Sequence, residues 1–349
     1  MPYEDSDPVM TYSKAGVDID AKMSAVKGAR EEIRSTFTRG VLGDVGGFGG
    51  LFRPDFSGMV DPVLVASTDG AGTKTKVAIA AGIHDTVGQD LVNHCVNDIL
   101  VQGARPLFFL DYIAMGKMKP AVVEGLIAGF AKACRENGCA LLGGETAEMP
   151  GVYHGDDYDL AGTIVGVVDR PALLDGGRVK AGDVLLGLPS SGLHTNGYSL
   201  ARMVFFEKLG MTADDPVPEL GQTAGESLLA IHRSYLKVLS PLLERGLISG
   251  MAHITGGGFP DNLPRVIPAG LGAVVRPGEW EWPPLFQLLK RETGLATEDM
   301  LRVFNCGVGM VLIVSASHAG EVEDSLTGSK ERVFRLGGIE GGASGVRYA

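Results

Sequence analysis

Short glycine clusters that follow apolar runs are the feature of this sequence that most restricts its fold. The chain has 51 glycines in 349 residues, about twice the usual share, and they show no three-residue period. Clusters lie, for example, at residues 46–50, 143–144 and 256–258. Glycine allows tight turns and lets backbone N–H groups approach bound anions. The pattern therefore excludes a collagen-like fibre and predicts a globular chain with many tight turns and anion-binding loops.

Strand and helix patterns alternate along both halves of the chain. Apolar residues at every fourth position from Val87 to Ile99 predict a helix over 86–102. A second helix is predicted to begin at Pro120 and to end at Gly138. Residues 62–67 read as a buried strand, and residues 224–245 as one long helix that Pro241 kinks.

The length of the chain suggests two domains. Residues 169–177 combine turn-forming side chains with a shift in charge. We therefore predict an N-terminal domain at 1–170 and a C-terminal domain at 171–349. Because strands and helices are mixed in each, both domains are expected to be α+β.

The charge balance restricts what the chain can bind. It carries 31 Lys and Arg against 42 Asp and Glu, a formal net charge of −11. That balance disfavours nucleic acids and anionic membranes, because binding by counterion release needs a basic surface. No apolar run nears the roughly 18 residues of a membrane span, and no signal-peptide pattern is visible. Four cysteines without metal-binding spacing are typical of buried thiols in a reducing cytoplasm, so we expect a cytoplasmic protein.

The first candidate site follows the strand predicted at 62–67. Asp69 and Gly70 come directly after it, and Lys74 lies four residues further on. A carboxylate, glycines and a lysine in this order can form a corner that holds Mg²⁺ and phosphate. The same residues also form an ordinary turn with an exposed lysine.

Two further acidic positions follow apolar elements. Asp98 lies near the end of helix 86–102, one turn after His94 and on the same side. The helix dipole disfavours a carboxylate there unless a positive group faces it. Glu145 follows Gly144 in a loop after a short strand, where sites are often built. The alternative at both positions is a solvent-exposed polar surface.

Two loops in the second half could hold an anion. His194 and Asn196 precede a helix, where free N–H groups bind anions and where polar side chains also cap helices. His194 is also a candidate acid or base. Gly256, Gly257 and Gly258 leave the backbone free to surround a phosphate, or they form a turn that only glycine can adopt.

Taken together and in this order, the motifs closely resemble the phosphoribosylformylglycinamidine cyclo-ligase family, the aminoimidazole ribonucleotide synthetases of purine synthesis. The resemblance extends from Tyr12 to about Arg335. The segments that carry it are AGVDID (15–20), GGFGGLF (46–52), TDGAGTK (68–74), HDTVGQDL (84–91), VNDILVQGARPLFFLDYIAMGK (96–117), GGETAEMPG (143–151), SSGLHTNGYSL (190–200), HITGGGFPDNLPRV (253–266) and FNCGVGM (304–310).

The resemblance implies an α+β fold with the two-domain PurM-like architecture. An N-terminal mixed-sheet domain would bind ATP and form a barrel-like homodimer interface, and a C-terminal α/β-sandwich domain would pack beside it. The implied reaction is the ATP-dependent cyclisation of formylglycinamidine ribonucleotide to 5-aminoimidazole ribonucleotide. ADP and phosphate are released, and an iminophosphate is the intermediate. ATP and Mg²⁺ are the implied cofactors.

The resemblance also implies roles for single residues. Asp69 and Asp98 would hold Mg²⁺, Glu145 would join them or orient the substrate, and His194 would act at the reacting end. The implied ATP contacts are Arg30, Gly47, Gly49, Asp69, Gly70, Lys74, Asp98 and Gly144. The implied substrate contacts are Glu145, His194, Asn196, Gly256, Gly257 and Gly258.

The sequence departs from the family pattern at its first motif. The family often has a glycine where this chain has Lys22, and a phosphate-binding lysine eight positions later, where this chain has Arg30. Arginine keeps the positive charge but differs in geometry. Lys27, one helical turn earlier, is the alternative for that role.

Two other functions stay open from the sequence. The chain could be a phosphotransferase of the same superfamily, a thiamine-phosphate kinase or a selenophosphate synthetase. The latter usually carries a reactive cysteine near the N-terminus, whereas the first cysteine here is Cys95. The chain could also be a nucleotide-binding scaffold that has lost turnover, although it retains Asp69, Asp98, Glu145 and His194.

Overall fold

The computed structural model describes residues 16–349. Residues 1–15 lie outside the described residues. They include the first residue of the motif at 15–20 and the start of the predicted N-terminal domain. The strands are β1 (Pro62–Gly70), β2 (Arg105–Met115), β3 (Ala140–Glu148), β4 (Tyr158–Asp169), β5 (Val184–Pro189), β6 (Pro216–Val217), β7 (Gln222–Thr223), β8 (Gly250–His253), β9 (Leu271–Val275), β10 (Val308–Val314), β11 (Phe334–Gly341) and β12 (Val346–Tyr348).

Helices lie between these strands in both halves of the chain. They are α1 (Ile19–Gly28), α2 (Arg30–Arg34), α3 (Lys74–Ala81), α4 (Asp85–Leu100), α5 (Pro120–Asn137), α6 (Tyr198–Arg202), α7 (Ala224–Leu228), α8 (Leu236–Glu244), α9 (Gly258–Asn262), α10 (Pro284–Thr293), α11 (Thr297–Val303) and α12 (Ala319–Gly328).

The first half builds a four-stranded mixed sheet in the order β1-β4-β2-β3. Its pairs are antiparallel except for β2 with β3. Helices α4 and α5 pack on one face, which receives alternate residues of β1 such as Val65 and Asp69. The other face is open, and Leu64 on it is 61% exposed. The sheet therefore has one covered face and one face that nothing among residues 16–349 covers in this way.

The second half builds a six-stranded sheet in the order β12-β9-β11-β5-β10-β8. Every residue of β10 is buried, and its side chains divide between two apolar clusters. Val311 and Ile313 pack with residues of α10 and α11, whereas Leu312 and Val314 pack with residues of α8 and α12. Helices thus cover both faces, which confirms the predicted α/β sandwich.

Most of the predicted elements are present. Helix α4 spans 85–100 against a prediction of 86–102, and α5 begins at Pro120 and ends where Gly138 takes a left-handed φ of +69°. Strand β1 continues past the predicted residues 62–67 to Gly70. Asp69 therefore lies within the strand, not in a turn after it. The two large sheets use residues 62–169 and 184–348, and the domain boundary at 170 stays a prediction.

The prediction of one long helix over 224–245 is wrong. Two short helices, α7 and α8, form instead, because the backbone between them bonds to the first half of the chain. The Ala230 carbonyl accepts from Lys74, the His232 carbonyl accepts from Asn93, and the His232 N–H donates to Asp90. These contacts use backbone groups that a continuous helix would need for itself.

Candidate active site

A cleft of about 650 Å³ lies between the two large sheets. Its walls come from both halves of the chain, and polar side chains line much of it. The first half contributes Ser67, Asp69, His94 and Asp98, and the second half contributes Asn196, His253, Thr255, Gly256, Asn262 and Arg265. A cavity of this size, lined by a few convergent polar groups, is typical of a small-molecule site.

Strand β1 and helix α4 bring Asp69 and Asp98 together at this cleft. Asp98 Oδ2 accepts a hydrogen bond from Ser67 Oγ at 3.1 Å, which ties the helix residue to the strand. His94 Nε2 lies 2.7 Å from Asp69 Oδ2 and 3.6 Å from Asp98 Oδ2. The two carboxylates therefore face a common nitrogen. A carboxylate near the end of a helix needs a positive group beside it, and His94 can be that group for Asp98.

Both carboxylates are held in the ionised form. Burial raises the pKa of Asp69, but the hydrogen bond and charge of His94 outweigh it, and the net shift is downward. Burial likewise raises the pKa of Asp98, and bonding to His253 with the nearby charges lowers it overall. Burial lowers the pKa of His94, yet the two carboxylates reverse that effect and raise it. The two carboxylates thus carry negative charge, and that charge favours the protonated form of His94.

A chain of hydrogen-bonding groups connects the two carboxylates through the interface between the sheets. From Asp69 and His94 it continues through Thr195 Oγ1, 2.7 Å from His94 Nδ1, to His232 Nδ1 at 3.4 Å. His232 Nε2 lies 3.0 Å from His253 Nε2, and His253 Nδ1 donates to Asp98 Oδ1 at 2.8 Å. The chain fixes the orientation of the two histidines that line the cleft.

His94 and His253 line the cleft, although sequence reasoning predicted no role for either. Their signals were weak: His94 is one turn before Asp98, and His253 precedes the glycine cluster at 256–258. They lie 159 positions apart in the chain, and only the packing of α4 against the second half brings them to one carboxylate.

His194 lies behind the cleft wall instead of lining it. Its side chain is fully buried, and its ring stacks on His232 at 3.9 Å between centroids. The Ser191 N–H donates to His194 Nε2 at 3.2 Å, and burial holds the pKa of His194 well below its ordinary value. The structure therefore places His194 where it supports His232, not where a ligand in the cleft would touch it.

Lys74 is also fully buried, and its ammonium group is fully bonded within the protein. Its Nζ lies 2.7 Å from Asp90 Oδ2 and donates to the His194 and Ala230 carbonyls at 3.1 and 2.8 Å. An ammonium has three donors, so none is left for a phosphate. The structure therefore fits neither the ATP contact nor the exposed turn lysine expected from the sequence, because Lys74 is buried and joins the two halves of the chain.

Glu145 does not reach the Asp69 corner within one chain. It lies on β3, the strand at the opposite edge from β1, roughly 14 Å away across three inter-strand steps. Its carboxylate is exposed and pairs with Lys22 at 2.8 Å. The neighbouring Gly144 is required by packing, because a Cβ there would lie 2.6 Å from the backbone carbonyl oxygen of Asp111.

Arg30 and the glycine loop at 43–50 lie near β3, at that edge of the first sheet. Arg30 bonds to Asp44 of that loop at 2.7 Å, and a Cβ at Gly50 would meet Leu142 of β3. A Cβ at Gly47 would meet only the Gly49 carbonyl, and one at Gly49 would meet nothing within 4 Å. Packing within the described residues does not require glycine at either of these positions.

The candidate substrate residues of the second half divide into two groups. Asn196 and Gly256 line the cleft, and the buried Nδ2 of Asn196 has no partner within residues 16–349. Gly257 and Gly258 have φ of +86° and +59°, and a Cβ at Gly258 would lie 1.9 Å from the Leu301 carbonyl oxygen. These two glycines form the turn, and Gly256 presents backbone to the cleft.

Comparisons with known proteins match both halves of the chain to the same family. Residues 55–168 match the family model "AIR synthase related protein, N-terminal domain", and residues 180–349 match its C-terminal counterpart. A curated relative named phosphoribosylformylglycinamidine cyclo-ligase from Desulfitobacterium hafniense (strain DSM 10664 / DCB-2) is 50% identical over 97% of this chain and 99% of the relative. A relative of the same name from Geotalea uraniireducens (strain Rf4) is 48% identical over 96% of each.

Solved structures share the fold at low sequence identity. Thiamine-monophosphate kinase from Stenotrophomonas maltophilia K279a aligns with a TM-score of 0.66 at 18% identity, over 93% of this chain and 95% of that one. Hydrogenase maturation protein HypE in complex with ATP aligns with a TM-score of 0.65 at 18% identity, over 96% and 93%. Across residues 16–349, none of the helices combines the length and the apolar character needed to cross a membrane.

Proposed function

The chain belongs to the phosphoribosylformylglycinamidine cyclo-ligase family, and we propose that it carries out the reaction for which that family is named. In this reaction ATP drives the cyclisation of formylglycinamidine ribonucleotide to 5-aminoimidazole ribonucleotide in de novo purine biosynthesis. ADP and phosphate are released. Identity of 50% over 97% of the chain supports the assignment for both halves together.

The observation that carries the proposal is the convergence of Asp69 and Asp98 in a cleft whose opposite wall belongs to the second sheet. Phosphoryl transfer needs positioned reactants and neutralised charge more than it needs covalent chemistry from the protein. A cleft with ionised carboxylates on one wall and backbone and amide groups on the other can meet both needs.

The donor set fits a divalent cation. Asp69 and Asp98 are ionised, and one oxygen of each lies near His94 Nε2, at 2.7 and 3.6 Å. Mg²⁺ would be held by these two carboxylates, and when bound it supplies positive charge beside the ATP phosphates. Ser67 and His253 fix the Asp98 carboxylate in place through hydrogen bonds at 3.1 and 2.8 Å.

We propose that the formyl oxygen receives the γ-phosphoryl group. An amide oxygen is a poor leaving group, and phosphorylation gives an iminophosphate whose carbon a neighbouring nitrogen can attack. Ring closure then breaks the C–O bond and expels phosphate. Asn196 Nδ2 and the Gly256 backbone are available on the second wall to orient the ribonucleotide, and holding the two reacting atoms close lowers the barrier by removing orientational entropy.

A homodimer would complete this site. The open face of the first sheet exposes Leu64 and Leu110, and β1 and β3 are its two free edges. If two copies close these edges into a barrel, the β3 edge of one copy lies beside the β1 edge of the other. Glu145 and the loop that bonds Arg30 would then approach the Asp69 corner of the second copy. In that arrangement Arg30, Gly47 and Gly49 would contact the ATP bound at that corner.

Mixing two inactive variants tests this shared site. Asp98→Asn and Glu145→Gln would each abolish activity, and subunit exchange between them would restore one intact site in each mixed dimer. Random pairing predicts recovery of about a quarter of the wild-type activity. No recovery, after exchange has been verified with tagged subunits, would show that Asp98 and Glu145 do not meet across the dimer, and normal activity of Glu145→Gln alone would place Glu145 outside the site.

We also propose a cytoplasmic location. All four cysteines, Cys95, Cys134, Cys139 and Cys306, are buried free thiols, and burial raises the pKa of the Cys95 thiol well above its ordinary value. Such thiols are typical of proteins kept in a reducing compartment.

The activity is tested with purified protein, formylglycinamidine ribonucleotide and Mg·ATP. We expect a diazotisable aminoimidazole that forms only when ATP is present, with one ADP per product. Asp98→Asn is the inactive control. ADP release with thiamine phosphate in place of this substrate would favour a kinase, and ATP binding without turnover on either substrate would favour a scaffold.

A further inference from the structure

A small cavity lies at the opposite end of the first sheet from the Asp69 corner. Its volume is about 280 Å³, and its walls come from the start of β2, the end of α5 and the two segments that flank the glycine loop at 43–50. Strand β2 extends from Arg105, on the cavity wall, to Asp111, which like Asp69 pairs with Gly162 of β4. Six residues of extended chain span about 20 Å, so the cavity is separate from the cleft.

Three arginines line this cavity, which we call the arginine cavity. They are Arg39, Arg53 and Arg105, and Asp55 is the one acidic residue beside them. Positive charge is thus in excess here, in a chain whose net charge is −11. Residues around so small a cavity lie within about one Debye length of one another in 0.1 M salt, roughly 10 Å, so their charges act together. A bound anion would relieve the repulsion between the three guanidinium groups.

The protein itself uses few of the N–H groups of these arginines. Within residues 16–349, their side chains make only one hydrogen bond, from Arg105 Nη2 to the Asp55 carbonyl at 2.9 Å. Each guanidinium has five N–H donors in a planar fork, and this geometry matches the oxygens of a phosphate group. The Asp55 carboxylate has a partner of its own, because its Oδ1 accepts from the Ser57 N–H at 2.9 Å.

Packing fixes the backbone that carries Arg39 and Arg53. The segments on the two sides of the glycine loop pair as an antiparallel hairpin, and the Arg53 N–H donates to the Gly40 carbonyl at 2.7 Å. The Phe52 ring lies against Gly40, where a Cβ would be 2.4 Å from its Cζ. The two arginines are therefore held at the base of this hairpin, and the glycine loop forms its tip.

We propose that the arginine cavity binds one phosphate group through the guanidinium groups of Arg39, Arg53 and Arg105. A phosphate group carries nearly two negative charges at pH 7 and has strong acceptor oxygens. Sites for larger ligands usually enclose about 300–1,000 Å³, so this cavity suits a phosphate group better than a whole nucleotide. The ligand is inorganic phosphate or a phosphomonoester whose remainder extends into solvent. The proposal does not depend on the proposed function.

Isothermal titration calorimetry on the full-length protein tests the binding. The probes are inorganic phosphate and ribose 5-phosphate, in about 0.15 M salt, which screens charges beyond about 8 Å. Divalent ions are removed with a chelator, so that the carboxylates of the cleft repel both probes. We expect a Kd of about 1 mM or lower for at least one probe. Tighter binding of ribose 5-phosphate would identify a monoester as the ligand, and equal or tighter binding of phosphate would identify the free ion.

Two variants test the arginines. Arg39→Gln and Arg53→Gln should each weaken binding about tenfold, because each loses a charge-assisted hydrogen bond. Both should fold and melt like wild type, since neither side chain bonds to other residues within 16–349. Arg276→Gln is the matched control, because Arg276 is exposed and does not line this cavity. It should bind both probes as wild type does.

Hydrogen exchange of the backbone amides locates the bound anion. In wild type, the tighter probe should slow exchange in the hairpin at 38–53, because the anion joins its base to β2, and Arg53→Gln should lose this protection. The proposal is overturned if neither probe binds in about 0.15 M salt, if folded Arg39→Gln and Arg53→Gln bind as wild type does, or if protection appears only outside this hairpin and β2.

Discussion

Replacing Lys74 with methionine separates a structural role from a phosphate-binding one. Lys74 belongs to the first half of the chain, yet it donates to carbonyls of His194 and Ala230 in the second half. Its ion pair with Asp90 has no exposed surface on either side chain. Methionine has similar length and no charge, so Lys74→Met leaves Asp90 buried without its cation and leaves two carbonyls without a donor.

The expected loss of stability is large. Breaking a buried ion pair by removing one partner typically costs about 3–5 kcal/mol. Such a loss should lower Tm by at least about 5 °C. Burial raises the pKa of Asp90. The uncompensated carboxylate will therefore take up a proton as pH falls, and the deficit relative to wild type should shrink from pH 8 to pH 5.

The assay is thermal and denaturant unfolding of Lys74→Met beside Lys76→Met. Lys76 pairs with Asp157 at the surface, where both side chains are about a third or more exposed, and its loss should cost about 0–1 kcal/mol. The double variant Lys74→Met/Asp90→Leu should recover much of the stability, because it removes both charges. A Lys74→Met protein that melts like wild type but has a much higher KM for ATP would refute the structural role.

Three further predictions address the cleft, the sheet and the glycine turn. Asp98→Asn should lower kcat at least about 100-fold while Tm changes little, because the variant would lose a carboxylate that holds Mg²⁺, whose positive charge stabilises the transition state. A near-normal kcat would exclude this metal site. Burial raises the pKa of Asp111 to about 7, so wild type should lose stability from about pH 4 to pH 7, where the unfolded chain has released this proton and the folded protein still holds it. Asp111→Asn should therefore raise Tm at pH 8 but hardly at pH 4, and equal Tm changes at the two pH values would contradict this. Gly258→Ala should destabilise the protein by several kcal/mol, because its Cβ would overlap the Leu301 carbonyl. The control is Gly210→Ala, because Gly210 also has a positive φ but has open space around it. Equal unfolding midpoints for the two variants would contradict the packing argument.

Local sequence patterns predicted those helices whose bounds depend on residues nearby in the sequence. The apolar stripe from Val87 to Ile99 predicted α4 within two residues, and Gly138 predicted the end of α5. The pattern at 224–245 gave a wrong prediction because the break between α7 and α8 is caused by Lys74, Asn93 and Asp90. Those partners lie about 140 to 156 positions away in the chain, beyond what periodicity can detect.

For the candidate site, too, the sequence predicted contacts between neighbouring elements but not contacts between the two sheets. Asp69 and Asp98 lie near each other, as expected, because α4 packs on β1 and only the short helix α3 separates the two elements in the chain. His253 reaches Asp98 through the interface between the sheets, a contact that no local spacing records. His194 has the residue type of a catalytic group, but a left-handed φ of +59° and complete burial place it behind the wall.

The most direct test of the reaction is to follow the formyl oxygen. Formylglycinamidine ribonucleotide labelled with ¹⁸O at that oxygen is incubated with Mg·ATP and the purified protein, and the released phosphate is examined by mass spectrometry. Phosphoryl transfer to the formyl oxygen predicts one ¹⁸O atom in the phosphate for each aminoimidazole formed. Unlabelled phosphate accompanying that product, with the label released to water, would contradict the account.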